Sequence, residues 1–143
     1  MIEKTTIEKM ISLAMECVKN SYAPYSHYNV GATVLMDSGK MYTGVNVENA
    51  AFGCTICAER NAIIHAIAEG EKKILAVAIV AGTDLAETGE IDTYGTPCGT
   101  CRQVMREFSD PEEMIVISAR SETDYKVRTL DELLPESFGP EWL

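Results

Sequence analysis

The chain has 143 residues, of which 22 are acidic and 12 are basic, and its formal net charge is −10 at pH 7. Such a surface repels phosphate backbones and anionic lipids, which argues against nucleic acid and membrane partners, although solubility alone also explains the acidity. Hydrophobic residues make up 46%, as is typical of a globular protein with a buried core. We therefore expect a single domain over residues 1–143, and a small neutral substrate is compatible with its charge.

The cysteine count and the first ten residues bear on the compartment. Five cysteines are an odd number, and the charges within residues 1–10 do not resemble a signal peptide. No apolar run approaches the ~20 residues that span a bilayer. These features predict a cytoplasmic protein, in which spaced cysteines are more often metal ligands or catalytic groups than disulfides.

Apolar periodicity and turn residues predict nine elements. They are a helix at 5–20, strands at 30–36 and 41–47, a helix at 58–69, a strand at 74–81, a helix at 97–108, strands at 114–118 and 125–128, and a short helix at 130–134. Thr5 or Thr6 is expected to cap the first helix with Glu8 in its first turn, and residues 82–96 are expected to form a loop. The order predicts an α/β fold with helices on both faces of one mixed sheet.

Three cysteines have the spacing of metal ligands. Cys57 lies in one segment, and Cys98 and Cys101 lie in a later Pro-Cys-Gly-Thr-Cys segment. Thiolate is a preferred ligand of zinc, and a catalytic zinc takes three protein ligands and leaves a fourth position for water. Cys98 and Cys101 are one helical turn apart, and Cys57 and Cys98 begin predicted helices, where the macrodipole favours a thiolate. The pattern predicts a hydrolytic zinc site.

Glu59 follows the first of these cysteines by two residues. A carboxylate there can accept a proton from water at the metal and return it to a leaving nitrogen. Alone it would be interpreted as a charge that favours a helix N-terminus, but beside Cys57 we interpret it as a proton shuttle. Three thiolates leave a net negative cluster, so we expect Arg60, or as second choice Arg102, to donate to the sulfurs.

Other residues leave alternatives open at this stage. A lone Cys-x-x-Cys is also typical of a thiol redox pair. Cys54 is a possible spare ligand, although an inert thiol is the more ordinary role. A histidine would close the site and make the zinc structural. His65 lies about two helical turns beyond Cys57 and is expected to be out of reach, whereas spacing does not exclude His27.

Several stretches, in the same order along the chain, resemble the short cytidine deaminase family, the zinc enzymes of pyrimidine salvage. They are residues 22–26 (Tyr-Ala-Pro-Tyr-Ser), 30–32 (Val-Gly-Ala), 44–50 (Gly-Val-Asn-Val-Glu-Asn-Ala), 57–60 (Cys-Ala-Glu-Arg), 97–104 (Pro-Cys-Gly-Thr-Cys-Arg-Gln-Val), 133–135 (Leu-Leu-Pro) and 138–140 (Phe-Gly-Pro). The order Cys-x-Glu…Pro-Cys-x-x-Cys is itself the cysteine form of the zinc deaminase signature. The resemblance implies a three-layer α/β/α cytidine-deaminase-like fold with a mixed five-stranded sheet, a homotetramer, and one zinc ion per subunit.

The resemblance also implies a role for each matching residue. Cys57, Cys98 and Cys101 would bind zinc, Glu59 would be catalytic, and hydroxide would attack C4 of cytidine or 2′-deoxycytidine to release ammonia. The substrate would be held by Asn46 and Glu48 on the ribose hydroxyls, the Ala58 backbone N–H on the base carbonyl, Tyr28 on the ring, and Phe138 of a neighbouring subunit. An amide and a carboxylate two residues apart at a strand end also suit a sugar diol, although a polar strand end would look the same.

The chain departs from the family at two places near these residues. It has Tyr28-Asn29 where the family usually has Phe-Pro, and Ala50-Ala51-Phe52 where the family has Ala-Ser-Tyr. A tyrosine ring can stack on a base as a phenylalanine ring does, but its hydroxyl needs a partner or solvent. The departures bear on substrate preference rather than on the metal chemistry.

Three other functions are weighed against a nucleoside deaminase. A blasticidin S deaminase resembles the chain in its three-cysteine site, but residues 46–50 and the 138–140 ending favour the nucleoside enzyme. A zinc-stabilised binding module without catalysis predicts four protein ligands and a dispensable Glu59. A nucleic-acid deaminase is disfavoured by the net charge of −10 and by the lack of a basic patch.

Overall fold

A computed structural model describes residues 2–143. Its helices and strands, in chain order, are α1 Lys4–Cys17, β1 Tyr28–Met36, β2 Met41–Val45, α2 Ala58–Ala68, β3 Ile74–Thr83, α3 Leu85–Thr88, α4 Gly99–Glu107, β4 Ile115–Ala119, β5 Tyr125–Thr129 and α5 Leu130–Leu133. Single 3-10 turns occur at Val18–Asn20, Phe52–Cys54 and Pro140–Trp142. No helix within residues 2–143 has the length and apolar character that a bilayer crossing requires.

The strands form one five-stranded sheet in the order β2-β1-β3-β4-β5. The pairing of β3 with β4 is parallel and the other three pairings are antiparallel. The sheet is therefore mixed, as predicted. Two neighbouring parallel strands need a crossover connection. Here the connection from β3 to β4 contains α4, and it brings the start of α4 close to the start of α2.

Helices cover both faces of the sheet, which confirms the three-layer α/β/α arrangement. Alternate residues of β3 enter two separate cores: Val77 and Ile79 pack with α2 and α4, whereas Ala78 and Val80 pack with α1. The strand is buried on both faces, as its continuous apolar run predicted. The predicted apolar stripe of α1 is fully buried; its members are Ile7, Met10, Ile11, Ala14 and, just beyond the helix, Val18.

The helix starts differ from the sequence expectations. The prediction that Thr5 or Thr6 caps α1 is wrong, because the Glu3 carbonyl accepts the N–H groups of Thr6 and Ile7 and the helix begins at Lys4. Glu8 accordingly lies beyond the first turn. The prediction that Pro97 opens its helix is also wrong, since Cys98 is the N-cap of α4 and the helix begins at Gly99, two residues after Pro97.

The segment 82–96 is not wholly a loop. β3 continues to Thr83, and α3 follows after Asp84, which adopts a left-handed backbone with φ of 54°. The short helix buries Leu85 against the α1 core. One buried residue in four gives too little periodicity for a sequence pattern to indicate a helix.

Gly44 sets how closely β2 approaches α2. A Cβ atom at this position would lie 2.3 Å from the backbone N of Ala62 and 2.6 Å from the backbone O of Ala58. Neither atom belongs to a flexible side chain, so nothing nearby can yield without moving the helix. Because α2 begins with the Cys57-Ala58-Glu59 segment, this contact also fixes the site.

We expect Gly44→Ala to lower the free energy of unfolding by about 3 kcal/mol, since overpacking against backbone forces an element to shift. Gly53→Ala is the matched control, because nothing lies within 4 Å of a Cβ at Gly53. Urea unfolding of both variants and the parent measures the difference. Equal stability of Gly44→Ala and Gly53→Ala would contradict the close approach.

Candidate zinc site

Two helix starts bring the three predicted cysteines together. Cys57 is the N-cap of α2, Cys98 is the N-cap of α4, and Cys101 lies in the first turn of α4, fully buried. The three sulfur atoms lie within 4.8 Å of one another, and Cys57 Sγ is 3.8 Å from Cys98 Sγ. Two sulfurs bound at about 2.3 Å to one tetrahedral ion would be about 3.8 Å apart. The donor set therefore fits a zinc ion.

No fourth protein ligand joins these sulfurs within residues 2–143. His65 Nδ1 lies 3.2 Å from the Thr43 carbonyl oxygen, and His27 Nδ1 lies 3.9 Å from an Asp84 carboxylate oxygen. Cys54 is exposed and outside the cluster. The arrangement is that of a three-ligand site with an open fourth position, which is typical of catalytic rather than structural zinc.

Arg60 is the cation beside the sulfurs. Its Nη2 donates to Cys57 Sγ at 3.5 Å, and its Nε is buried without a hydrogen-bond partner. The side chain of Arg102 is used elsewhere: Nε donates to the Pro97 carbonyl at 2.8 Å and Nη1 to the Leu133 carbonyl at 2.6 Å. Of the two arginines considered from the sequence, Arg60 is the one in contact with a cysteine.

The pKa values of the Cys57 and Cys101 thiols, which lie next to Arg60, are shifted in opposite directions. A hydrogen bond with Cys101, followed by the contact with Arg60, lowers the pKa of Cys57 to about 5. The same hydrogen bond and burial raise the pKa of Cys101. Contacts with neighbouring side chains therefore favour a thiolate at Cys57, in the same direction as the helix macrodipole.

Glu59 is the second residue of α2 and is 4% exposed. Burial raises the pKa of its carboxyl to about 7, and the nearby Cys57 thiolate adds to the shift. A group that titrates near neutral pH can both accept and return a proton. Glu59 lies outside the cluster of potential metal ligands, which leaves its carboxyl available for proton transfer.

A cavity of about 290 Å³ joins most of the predicted site residues. The predicted residues that line it are Tyr28, Asn46, Glu48, Cys57, Glu59 and Cys98. Ala58 is the first residue of α2, a position where the backbone N–H has no partner inside the helix. The cavity approaches the lower end of the volumes typical of small-ligand sites.

The polar pair after β2 is already engaged in hydrogen bonds. Glu48 accepts from the backbone N–H groups of Tyr25 and Ser26 at 2.9 and 3.1 Å, and from the Ser26 hydroxyl at 2.5 Å. These bonds lower the pKa of Glu48, the Ser26 hydroxyl contributing most. Asn46 is 8% exposed and is held by Ser21, Tyr28 and Val30. Ser21 and Ser26 were not identified as site residues, because each acts through a contact distant in sequence.

Phe138 does not line the cavity of its own subunit. It is 57% exposed and stacks on Trp142 with ring centroids 6.4 Å apart. α4 holds this C-terminal segment: Gln103 donates to the Phe138 carbonyl at 2.9 Å, and Arg106 contacts Ser137 and Glu141. The helix that carries two of the sulfurs therefore also positions Phe138.

We expect Arg60→Gln to weaken zinc binding by about 10- to 100-fold at pH 7, because loss of a group that supports a ligand has effects of this size. Without the guanidinium, the thiolates lose a charge partner. Competition with a chromophoric chelator measures the affinity, and the exposed Arg120→Gln serves as control. Unchanged affinity, together with an unchanged pH–rate profile, would refute this role for Arg60.

Comparisons with known proteins agree with this geometry. A sequence model described as "Cytidine and deoxycytidylate deaminase zinc-binding region" matches residues 4–118. A probable cytidine deaminase of Dictyostelium discoideum is 43% identical over 135 residues, covering 94% of this chain and 85% of that protein. The cytidine deaminase of Halalkalibacterium halodurans is 38% identical over 134 residues, covering 94% and 95%.

A solved structure shows the same fold. The crystal structure of cytidine deaminase from Burkholderia pseudomallei superposes with a TM-score of 0.79 at 36% identity, over 91% of this chain and 97% of that one. The family match spans well over half of the chain, and the relatives exceed 30% identity over nearly all of it. The chain therefore belongs to the zinc-binding cytidine and deoxycytidylate deaminase family.

Proposed function

We propose that the protein is a hydrolase that converts cytidine and 2′-deoxycytidine to uridine and 2′-deoxyuridine with release of ammonia. One observation carries the proposal: three sulfurs cluster without a fourth protein ligand in residues 2–143, and two of them, those of Cys57 and Cys98, line a cavity together with the buried carboxyl of Glu59. The relatives named cytidine deaminase support the choice of substrate. Zinc is the cofactor, one ion per subunit, held by Cys57, Cys98 and Cys101.

The proposed chemistry needs one proton carrier. Zinc held by Cys57, Cys98 and Cys101 would act as a Lewis acid that lowers the pKa of a water molecule, which could then attack C4 of the pyrimidine as hydroxide. Glu59 accepts the proton of that water on its carboxylate and delivers it to the base, whose amino nitrogen leaves as ammonia. Water supplies the oxygen of the new carbonyl and two hydrogens, one of which ends on N3 of the uracil ring and the other on the departing ammonia. A pKa near 7 allows Glu59 to act first as base and then as acid.

The remaining lining residues fit a nucleoside. Glu48 is an ionised acceptor and Asn46 retains a donor, a combination that can bind sugar hydroxyls. We assign the base carbonyl to the Ala58 N–H, which has no partner inside α2, and stacking on the pyrimidine to the ring of Tyr28, which lines the cavity. These roles are part of the proposal.

Two observations favour this function over its competitors. A non-catalytic zinc module requires a fourth protein ligand, and none joins the cluster within the described part of the chain. A redox pair requires only Cys98 and Cys101, whereas the third sulfur lies 3.8 Å from Cys98. Blasticidin S deamination uses the same metal chemistry, and turnover of cytidine and blasticidin S in one spectrophotometric assay separates the two substrates.

We further propose a cytoplasmic homotetramer of single-domain subunits that serves pyrimidine salvage. Both cores share one sheet, which supports a single domain. Large apolar side chains at Phe52, Phe138 and Trp142 are 74%, 57% and 68% exposed in the isolated subunit. Exposed apolar groups of this size are typical of surfaces that become covered on association.

We expect Glu59→Gln to retain zinc and fold but to lose turnover by about 10²- to 10⁴-fold, because the amide cannot accept the proton. Ammonia release from cytidine and zinc content per subunit are measured together. Glu69→Gln, an exposed carboxyl at the other end of α2, is the control and should remain active. If Glu59→Gln kept wild-type turnover with zinc bound, the shuttle assignment would be wrong.

The assembly proposal predicts complementation between two defective subunits. Phe138→Ala should be impaired because it removes the ring from a neighbour's site, and Glu59→Gln lacks the shuttle. Co-expressed with different tags and isolated as mixed oligomers, they should regain activity, because Glu59 of one subunit meets Phe138 of another. Mixed oligomers of Glu59→Gln with the double variant should not. No gain in the first mixture would show that Phe138 does not act between subunits.

A further inference from the structure

Asn29 is a buried polar residue at the position where the family resemblance usually has proline. It is 7% exposed, and its Oδ1 accepts the backbone N–H of Ala86 in α3 at 2.9 Å. A backbone N–H can only donate, so this contact fixes which side-chain atom is oxygen. The Nδ2 of Asn29 then donates to the hydroxyl oxygen of Ser21 at 3.0 Å.

Ser21 continues this series of hydrogen bonds in the same donor-to-acceptor direction. Its oxygen accepts from Asn29, and its single proton is donated to Asn46 Oδ1 at a distance of 2.5 Å. The orientation of the Asn46 amide is fixed independently, because Oδ1 also accepts the Val30 N–H at 2.9 Å and Nδ2 donates to the Tyr28 carbonyl at 2.8 Å. Every hydrogen bond from Ala86 to Asn46 therefore runs in one direction.

This chain of bonds decides what Asn46 can offer to a ligand. Its oxygen already has two partners, and one of its two Nδ2 hydrogens is used on Tyr28. An amide has two donor hydrogens and an oxygen with two lone pairs. The group that Asn46 brings to the cavity is thus a single N–H donor, held in one orientation by bonds from three sides.

We propose that Asn29 is a positioning residue that acts through Ser21 to hold the Asn46 donor toward the sugar of a bound nucleoside. The inference rests on the proposed function, because it needs a nucleoside in the cavity. It connects α3, which does not line the cavity, to the sugar end of the site. Asn29 itself does not line that cavity either, so it acts only through its neighbours.

The test compares two substrates and four variants. Cytidine offers its 2′- and 3′-hydroxyls to Asn46, whereas 2′,3′-dideoxycytidine lacks both and retains only the 5′-hydroxyl. Ser21→Ala and Asn29→Ala should each lower kcat/KM for cytidine by about three- to tenfold, the value of one neutral hydrogen bond, mainly through KM. Neither should lower kcat/KM for 2′,3′-dideoxycytidine by more than about twofold, measured with enzyme in excess.

The double variant and a control exclude a merely structural role. Because Asn29 acts through Ser21, the double variant should lose no more than Ser21→Ala alone, whereas independent effects would multiply. Thr33→Val is the control: Thr33 lies on β1 like Asn29 and is fully buried, with its hydroxyl donating to the Met10 carbonyl at 2.7 Å. Any loss that it causes should be equal for both substrates.

The outcomes separate the two proposals. Losses of kcat/KM that are confined to cytidine and do not multiply in the double variant support the positioning role of Asn29. Equal losses on both substrates, losses that multiply in the double variant, or no loss on cytidine would overturn that role while leaving the deaminase proposal intact. Wild-type protein that carries zinc yet releases no ammonia from cytidine would overturn the proposed function itself.

Discussion

The site depends on two helices beginning at the same point in space. Cys57 caps α2 and Cys98 caps α4, although 40 residues separate them in the sequence. Gly44 sets the position of α2 through close backbone contact. The position of α4 follows from the parallel pairing of β3 with β4, because α4 lies in the connection between these two strands. The core that both helices share buries Cys101 completely. Packing of one face of the sheet therefore fixes the distances among the sulfurs.

Charge placement is the second constraint, and it acts on residues adjacent in sequence. Within three consecutive positions of α2 and its cap, Cys57 has a pKa lowered to about 5 and Glu59 a pKa raised to about 7. Contacts with Cys101 and Arg60 favour the thiolate, whereas burial disfavours the carboxylate. Under the proposed function, these oppositely shifted pKa values would divide the ligand and proton-transfer roles between the two groups.

Much of this could be predicted from the sequence, for physical reasons that differ between elements. β3 was predictable because a strand buried on both faces has a continuous apolar run, and the cysteines because zinc ligation demands a spacing. α3 was missed because four residues with one buried side chain have no readable period. The cap of α1 was placed wrongly because Glu3 acts through its backbone carbonyl, which leaves no side-chain signal.

The contacts of side chains distant in sequence were the least predictable part of the site. Arg102 and Arg60 were both reasonable partners for the sulfurs by sequence position, and only packing shows that Arg102 holds the Pro97 and Leu133 carbonyls instead. The bonds from Asn29 to Ser21 and from Ser21 to Asn46 join three separate loops and strand ends. No local sequence pattern encodes this series of hydrogen bonds, because Asn29, Ser21 and Asn46 share neither a helix face nor a strand.

X-ray absorption at the zinc edge of the loaded, substrate-free protein tests the central claim most directly. A zinc site with three thiolate ligands and an open fourth position predicts three sulfur scatterers at about 2.3 Å from the metal and one oxygen scatterer at about 2.0 Å. A fourth sulfur or an imidazole nitrogen supplied by this same chain would contradict the hydrolytic account.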